Sequence, residues 1–286
     1  MARDDLALAP TVLYRAKAGL THLRSLRWRV RRRAPAPGLR ILFYHRVSDD
    51  RDELAVTPAR FAEQMARLAR DGLRAVGVEE GHALLAGGRA QGVVGLCFDD
   101  GYADVARNAV PVLERHGFRA TVFLPTGVID GSAAFTWYAI QPALLTWDEV
   151  RALDRAGTLG FGAHTVTHPN LLAVDEPAAR AEIAGSRTAL EERLGHAVSA
   201  FCYPAGLFGV RERALVADAG FTLATSCEPG VNGPETDPLA LRRVQVDARD
   251  RLLDFRAKVG GGHDAPPALR AAYRRLRWGT VANARS

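Results

Sequence analysis

VVGLCFDDGY, residues 93–102, is the stretch from which the rest of the chain is read. Val93 to Phe98 form an apolar run of strand length, and two carboxylates and a glycine end it. Asp99 and Asp100 are neighbours in sequence, and adjacent carboxylates at a strand end repel one another unless a cation or a proton lies between them. A metal ion resolves that conflict.

Outward from this strand the same rhythm recurs. Upstream, LRILFYH (39–45) is a short apolar strand ending in His45, and Thr57-Pro58 offers a helix cap followed by proline at the first helical position. Phe61, Met65 and Leu68 share one face of that helix, and Gly72 is its stop. Downstream, a helix carrying Val105, Val110, Val112 and Leu113 ends near Gly117, and residues 120–124 resume extended structure. Thr146 and Glu149 form a capping box that opens a helix through Val150 and Leu153 to Gly157. Residues 159–164, 197–203, 220–225 and 243–246 read as strands, with helices near 177–194 and 210–219. Alternation of this kind predicts an α/β fold with a mainly parallel sheet and helices outside, and its economical form is a distorted or incomplete (β/α) barrel.

The polar residues that interrupt the pattern collect at the C-terminal ends of the strands: His45, Asp99, Asp100, His164 and the turn YPAG (203–206). In parallel barrels that end is where sites are built. HTVTH (164–168) places two imidazoles four residues apart, and Pro169 argues against a continuous helix there, so the chain must turn for both rings to point inward. Two histidines and one carboxylate leave open positions on a divalent ion, the arrangement of a catalytic site. Each piece alone has an ordinary reading, a solvated turn or packing histidines; their combination at strand ends is what points to a metal.

These residues resemble the NodB-type polysaccharide deacetylases, carbohydrate esterase family four. FDDGY (98–102) is similar to the family's T-F-D-D-G motif, with Cys97 in place of the threonine, and HTVTH matches its H-[ST]-x-x-H motif. CYPAG (202–206) departs from R-x-P-Y-G by carrying Cys202 where the family has arginine. The resemblance covers about residues 39–263. A subgroup that includes biofilm exopolysaccharide deacetylases has a permuted motif order; LFYH (42–45) resembles its L-x-Y-H and LRRVQV (241–246) its late L-P-R-[IV]-x-V. The resemblance implies a metal held by Asp100, His164 and His168, Asp99 as general base, His45 as general acid, and Arg243 as the cation lost at Cys202. It further implies an oxyanion donor in the turn from Tyr203, the amide of Ala205, and an acetylated glycan as substrate. Two imidazoles and a carboxylate suit zinc, cobalt, nickel or iron, with zinc the default. Removal of N-acetyl groups from sugars is the leading expectation; a carbohydrate O-acetyl esterase and a carbohydrate-binding pseudoenzyme are the alternatives.

Other features are less specific. Trp137, Tyr138 and Trp147 lie in a segment where aromatic faces suit either stacking on sugar rings or burial over the barrel. GGGHD (260–264) has no strand-loop-lysine context and reads as a flexible loop, and the absence of G-x-S-x-G disfavours a serine hydrolase. Cys97, Cys202 and Cys227 are odd in number with no C-x-x-C spacing, against a disulfide framework or a cysteine-only zinc site; Cys97 and Cys202 are expected beneath the site.

The composition of the 286 residues, 48% hydrophobic and 24% charged, is globular. Charge is uneven. Residues 1–47 carry eleven Lys or Arg against Asp4 and Asp5, a balance of +9 that leaves −3 for the remainder of a chain totalling +6. We therefore divide the chain into a basic amphipathic segment, 1–37, and a catalytic domain, 38–286. Leu13, Leu20, Leu23, Leu26 and Val30 recur at helical spacing in that segment, and six arginines lie within residues 24–33. At about 1 kcal/mol per basic residue near an anionic leaflet, such a segment suits peripheral contact with a membrane; a solvated helix packed on the domain is the other reading. No nucleic-acid partner is expected, because no reader motif accompanies the charge. The longest uncharged run, residues 131–147, is shorter than the roughly 20 apolar residues of a span. The first 30 residues lack the unbroken apolar core of a secretory signal, so the expected location is cytoplasmic, peripheral at the inner face of the membrane. All site residues lie at His45 or beyond, and removal of the segment up to Pro37 is expected to leave the fold intact.

Overall fold

The computed structural model describes residues 8–31 and 37–264, with side chains at 18–30 and 37–264. The side chains of Leu13 and Arg31, and residues Arg32 and Arg33, lie outside the described residues. In chain order the strands are β1 (Arg40–Tyr44), β2 (Arg46–Val47), β3 (Ala55–Val56), β4 (Arg74–Val76), β5 (Val93–Asp99), β6 (Ala120–Leu124), β7 (Leu159–Ala163), β8 (Ala200–Cys202), β9 (Leu223–Thr225) and β10 (Val244–Gln245). All pairings between these strands are parallel, and the main sheet runs β10-β1-β5-β6-β7-β8-β9. β4 pairs with the first part of β5, before β6 takes over along the second, and β2 with β3 forms a separate pair. Leu241, just before β10, bridges back to Thr225 and donates its amide to the Ala224 carbonyl at 2.8 Å. One residue thus links the two ends of the sheet, and the barrel is nearly closed.

Both faces of the strands are buried, as parallel sheets require. Leu42 and Tyr44 of β1, Leu96 and Phe98 of β5, and Val122 of β6 pack in one cluster with the helices. Their neighbours Ile41, Phe43, Cys97 and Phe123 join Cys202 in a second cluster that fills the barrel.

The helices are α1 (Leu8–Arg31), α2 (Pro58–Arg70), α3 (Val78–Ala86), α4 (Val110–Arg115), α5 (Thr126–Ile129), α6 (Trp147–Ala156), α7 (Glu176–Leu194), α8 (Val210–Asp218) and α9 (Leu252–Val259). Thr57 caps α2 by accepting from the Arg60 amide, and the Thr146–Glu149 capping box of α6 makes both of its bonds. The expected helix after β5 is divided: residues Val105–Ala109 form a π-turn before α4. Pro111 has no amide to give the Arg107 carbonyl and crowds it, which widens the preceding turn. β2, β3, β4, α3, α5 and α9 were not foreseen from the sequence.

α1 packs along α9. His22 pairs with Asp254 at 2.6 Å, Ser25 bonds His263 at 3.0 Å, and the Trp28 indole donates to the Gly260 carbonyl at 3.1 Å. The glycine run is therefore not a flexible loop. A side chain on Gly260 or Gly262 would collide with the Trp28 indole, and Gly261 has φ +84° beside the Arg40 guanidinium. Arg40 pairs with Asp264 at 2.5 and 2.7 Å, tying this turn to the start of β1. No helix among the described residues is long and apolar enough to cross a membrane.

Candidate active site

Strand alternation would send Asp99 and Asp100 to opposite faces. Asp100 instead has φ +74°, which turns the chain so that both carboxylates stay at the barrel mouth. Thr165, His168 and Ala205 are the other non-glycine residues with positive φ among those described, and all four sit in the loops that follow β5, β7 and β8. Each such residue costs about 1–3 kcal/mol, so the strain is concentrated where the candidate chemistry is.

Asp99 and Arg243 form a buried bidentate pair, Nη1 to Oδ1 at 2.6 Å and Nη2 to Oδ2 at 2.8 Å. Burial pushes the Asp99 carboxyl up, but the guanidinium more than offsets this and holds it at about 2. Arg243 is fully buried, donates Nε to the Ser226 carbonyl at 2.9 Å, and lies over the Phe43 ring at 4.2 Å. Its nitrogens also reach Cys97 Sγ at 3.3 Å and Cys202 Sγ at 3.1 Å. The two thiols lie beneath the site, raised by burial and so protonated. Cys202, where the family motif has arginine, thus touches the arginine supplied from residue 243.

His164 Nε2 and His168 Nε2 each lie 3.6 Å from Asp100 Oδ1. That oxygen is buried with no hydrogen-bond partner, while Tyr102 donates to Oδ2 at 3.3 Å. His164 Nδ1 meets the Cys202 carbonyl at 2.7 Å, which makes Nδ1 the donor and leaves the Nε2 lone pair facing Asp100. Burial, helped by His164, pushes His168 down to about 4, so its ring is neutral at pH 7. An orphaned carboxylate oxygen with two imidazole Nε2 atoms turned toward it fits a divalent cation. Asp99, His164 and Cys202 form a second close group. It is the poorer cage, because Arg243 occupies both Asp99 oxygens and the Cys202 thiol is protonated.

Glu182 of α7 holds the loop that carries His168. Its carboxylate accepts from the amides of Val166 and Thr167, both at 2.8 Å, and from the Thr167 hydroxyl at 2.6 Å. His45, half-buried at the end of β1, contributes to lowering Asp99, and its Nδ1 is a buried nitrogen without a partner. In the YPAG turn the amides of Tyr203, Gly206 and Leu207 are bonded at 2.8–3.2 Å and Pro204 has none, which leaves the amide of the exposed Ala205. The Tyr203 ring is buried and its hydroxyl donates to the Leu239 carbonyl at 3.1 Å, so Tyr203 brings the turn's backbone rather than a side chain. Trp137 is 48% exposed and meets His168 edge-on at 5.1 Å; Trp147 sits away from the site, against Asp130 and Arg193. Tyr102 and Glu182 were not singled out from sequence.

A family model described as polysaccharide deacetylase matches residues 86–224. The putative polysaccharide deacetylase YxkH of Bacillus subtilis is 25% identical over 210 residues, 73% of this chain and 71% of the relative. IcaB from Ammonifex degensii superposes with a TM-score of 0.66 at 25% identity, over 81% of this chain and 99% of that one. The Streptococcus pyogenes deacetylase PplD, solved in complex with acetate, gives 0.66 at 24% identity over 77% and 98%, a likeness of fold. With the motif residues converging at one end of a curled parallel sheet and the matched region spanning β5 to β9, the chain is similar to the polysaccharide deacetylases in its motifs and in its fold.

Proposed function

We propose that the protein is a metal-dependent hydrolase that removes acetyl groups from N-acetylated sugars of a polysaccharide or glycan precursor, with zinc as the ion. The observation that carries this reading is the buried Asp99–Arg243 pair lying next in sequence to the Asp100, His164 and His168 cluster. Asp100, His164 and His168 would hold a divalent ion, whose Lewis acidity would lower the proton affinity of water enough for a carboxylate as weakly basic as Asp99 to serve. Asp99 accepts the proton of the attacking water as the new C–O bond forms. The Ala205 amide donates to the developing oxyanion. His45 delivers a proton to the sugar nitrogen as the C–N bond breaks, leaving acetate and a free amine. An amine leaves poorly without that proton, and a histidine at the mouth favours amide over ester hydrolysis. The half-exposed Trp137 beside His168 offers a ring face to a sugar at the rim.

The test is acetate release by zinc-loaded protein from N-acetylglucosamine oligomers, set beside acetylated xylan. The proposal expects release from the N-acetylated oligomers. Release from xylan alone, or none from any acetylated glycan with the ion bound, would contradict it.

A further inference from the structure

α1 holds the domain with one face and shows solvent the other. Its inward side is polar and aromatic: Ser25 is fully buried, and His22 and Trp28 are bonded to Asp254 and Gly260. The leucines point away. Leu20, Leu23 and Leu26 are 52%, 53% and 52% exposed and Val30 is 76% exposed, with Arg24, Arg27 and Arg29 also exposed beside them. An apolar stripe of this size on a helix already anchored on its other side is a docking surface in search of a partner.

We propose that this face docks the protein on an anionic lipid surface. The stripe combines apolar side chains with arginines, which suits insertion among acyl chains with headgroup pairing at the border. A second copy would bring arginines against arginines. So would residues 265–286, which carry Arg270, Arg274, Arg275 and Arg277. A nucleic acid would match the charge but leave the leucines wet.

The course of the helix adds an orientation. His22 meets Asp254 in the first turn of α9 and Trp28 meets Gly260 at its end, so α1 and α9 run the same way. α9 starts on the side where β10 ends, the side of the site, and Asp264 is tied to the start of β1. The backbone of α1 before His22 therefore extends toward the active-site end, over about 20 Å at 1.5 Å per residue.

The test is co-sedimentation of the full chain with vesicles of phosphatidylglycerol and phosphatidylcholine, and with phosphatidylcholine alone. Gel filtration is run in parallel. The proposal expects binding to the anionic vesicles, release as salt rises, and little binding to the neutral ones. Arg24→Gln and Arg27→Gln should each weaken partitioning about fivefold, and Leu23→Glu with Leu26→Glu should abolish it. No binding to anionic vesicles, equal binding to neutral ones, or binding indifferent to these variants would overturn it. So would a dimer that the leucine variants dissociate in a protein that ignores vesicles. The variants lie outside the site, so acetate release from soluble oligomers is an independent readout, and the vesicle result stands whichever way that activity turns out.

Discussion

Asp99 stays charged where burial disfavours charge, and Arg243 is the reason. In the proposed reaction the pair separates two roles that the sequence places side by side: Asp99 is saturated by the guanidinium, while Asp100 keeps an oxygen without a partner, open to an ion. Asp99→Asn is therefore predicted to retain about one ion per chain by elemental analysis while losing at least 100-fold in turnover, the scale of a lost general base; occupancy falling as far as in Asp100→Asn would refute the division. The pair also sets a pH dependence. The folded carboxyl, at about 2, lies below its ordinary 3.8, so its stabilisation is complete above pH 4 and is lost as pH falls toward 2. The amount is roughly 2–3 kcal/mol. Urea midpoints followed from pH 6 to pH 2 should show that acid limb in the wild type, and the limb should flatten in Asp99→Asn.

At the scale of elements, the loop after β7 depends on a carboxylate from a helix. Glu182 accepts three hydrogen bonds from Val166 and Thr167, between the two histidines, so Glu182→Ala should cost about 10–100-fold in metal affinity. Isothermal titration with zinc measures it, and circular dichroism should show an intact fold. This also marks where sequence reading stops. The strands and the helix caps were legible, since Thr57-Pro58 and Thr146 with Glu149 are local signals and form the caps expected of them. The strand-end residues His45, Asp99, Asp100 and His164 were legible because chemistry and position coincide there. Glu182 gave no signal: its partners are fixed by packing of α7, and a glutamate on a helix reads as solvated. Tyr102 passes for ordinary core. β4 spans three residues, too few for a period to register. α1 misled in a more instructive way, because its regular leucines face solvent and its anchoring face is built from His22, Ser25 and Trp28, which no hydrophobic period reveals.

At the scale of the molecule, α1 is part of the structure that closes over α9. Removing residues 1–36 would expose Asp254 and His263, both buried, and strip the indole from the glycine run. We expect the melting temperature to fall by roughly 5–10 °C, from about 2–4 kcal/mol of lost contact, against the sequence-based expectation of an indifferent truncation; differential scanning calorimetry decides. Burial and the nearby Lys258 and Arg24 push His263 down to about 4 from an ordinary 6.5. The contribution of its neutral ring is thus present above pH 6.5 and lost as pH falls toward 4, which places the loosening of α1 on the acid side of neutrality. The central claim is that one ion sits on Asp100, His164 and His168 while Asp99, paired with Arg243 and off the ion, acts as base. Anomalous diffraction from zinc-soaked crystals tests it most directly. The account predicts a single peak about 2.0–2.2 Å from Asp100 Oδ1, His164 Nε2 and His168 Nε2, with the Asp99–Arg243 pair intact. A peak shared by Asp99, His164 and Cys202, or no ordered ion at either group, would contradict it.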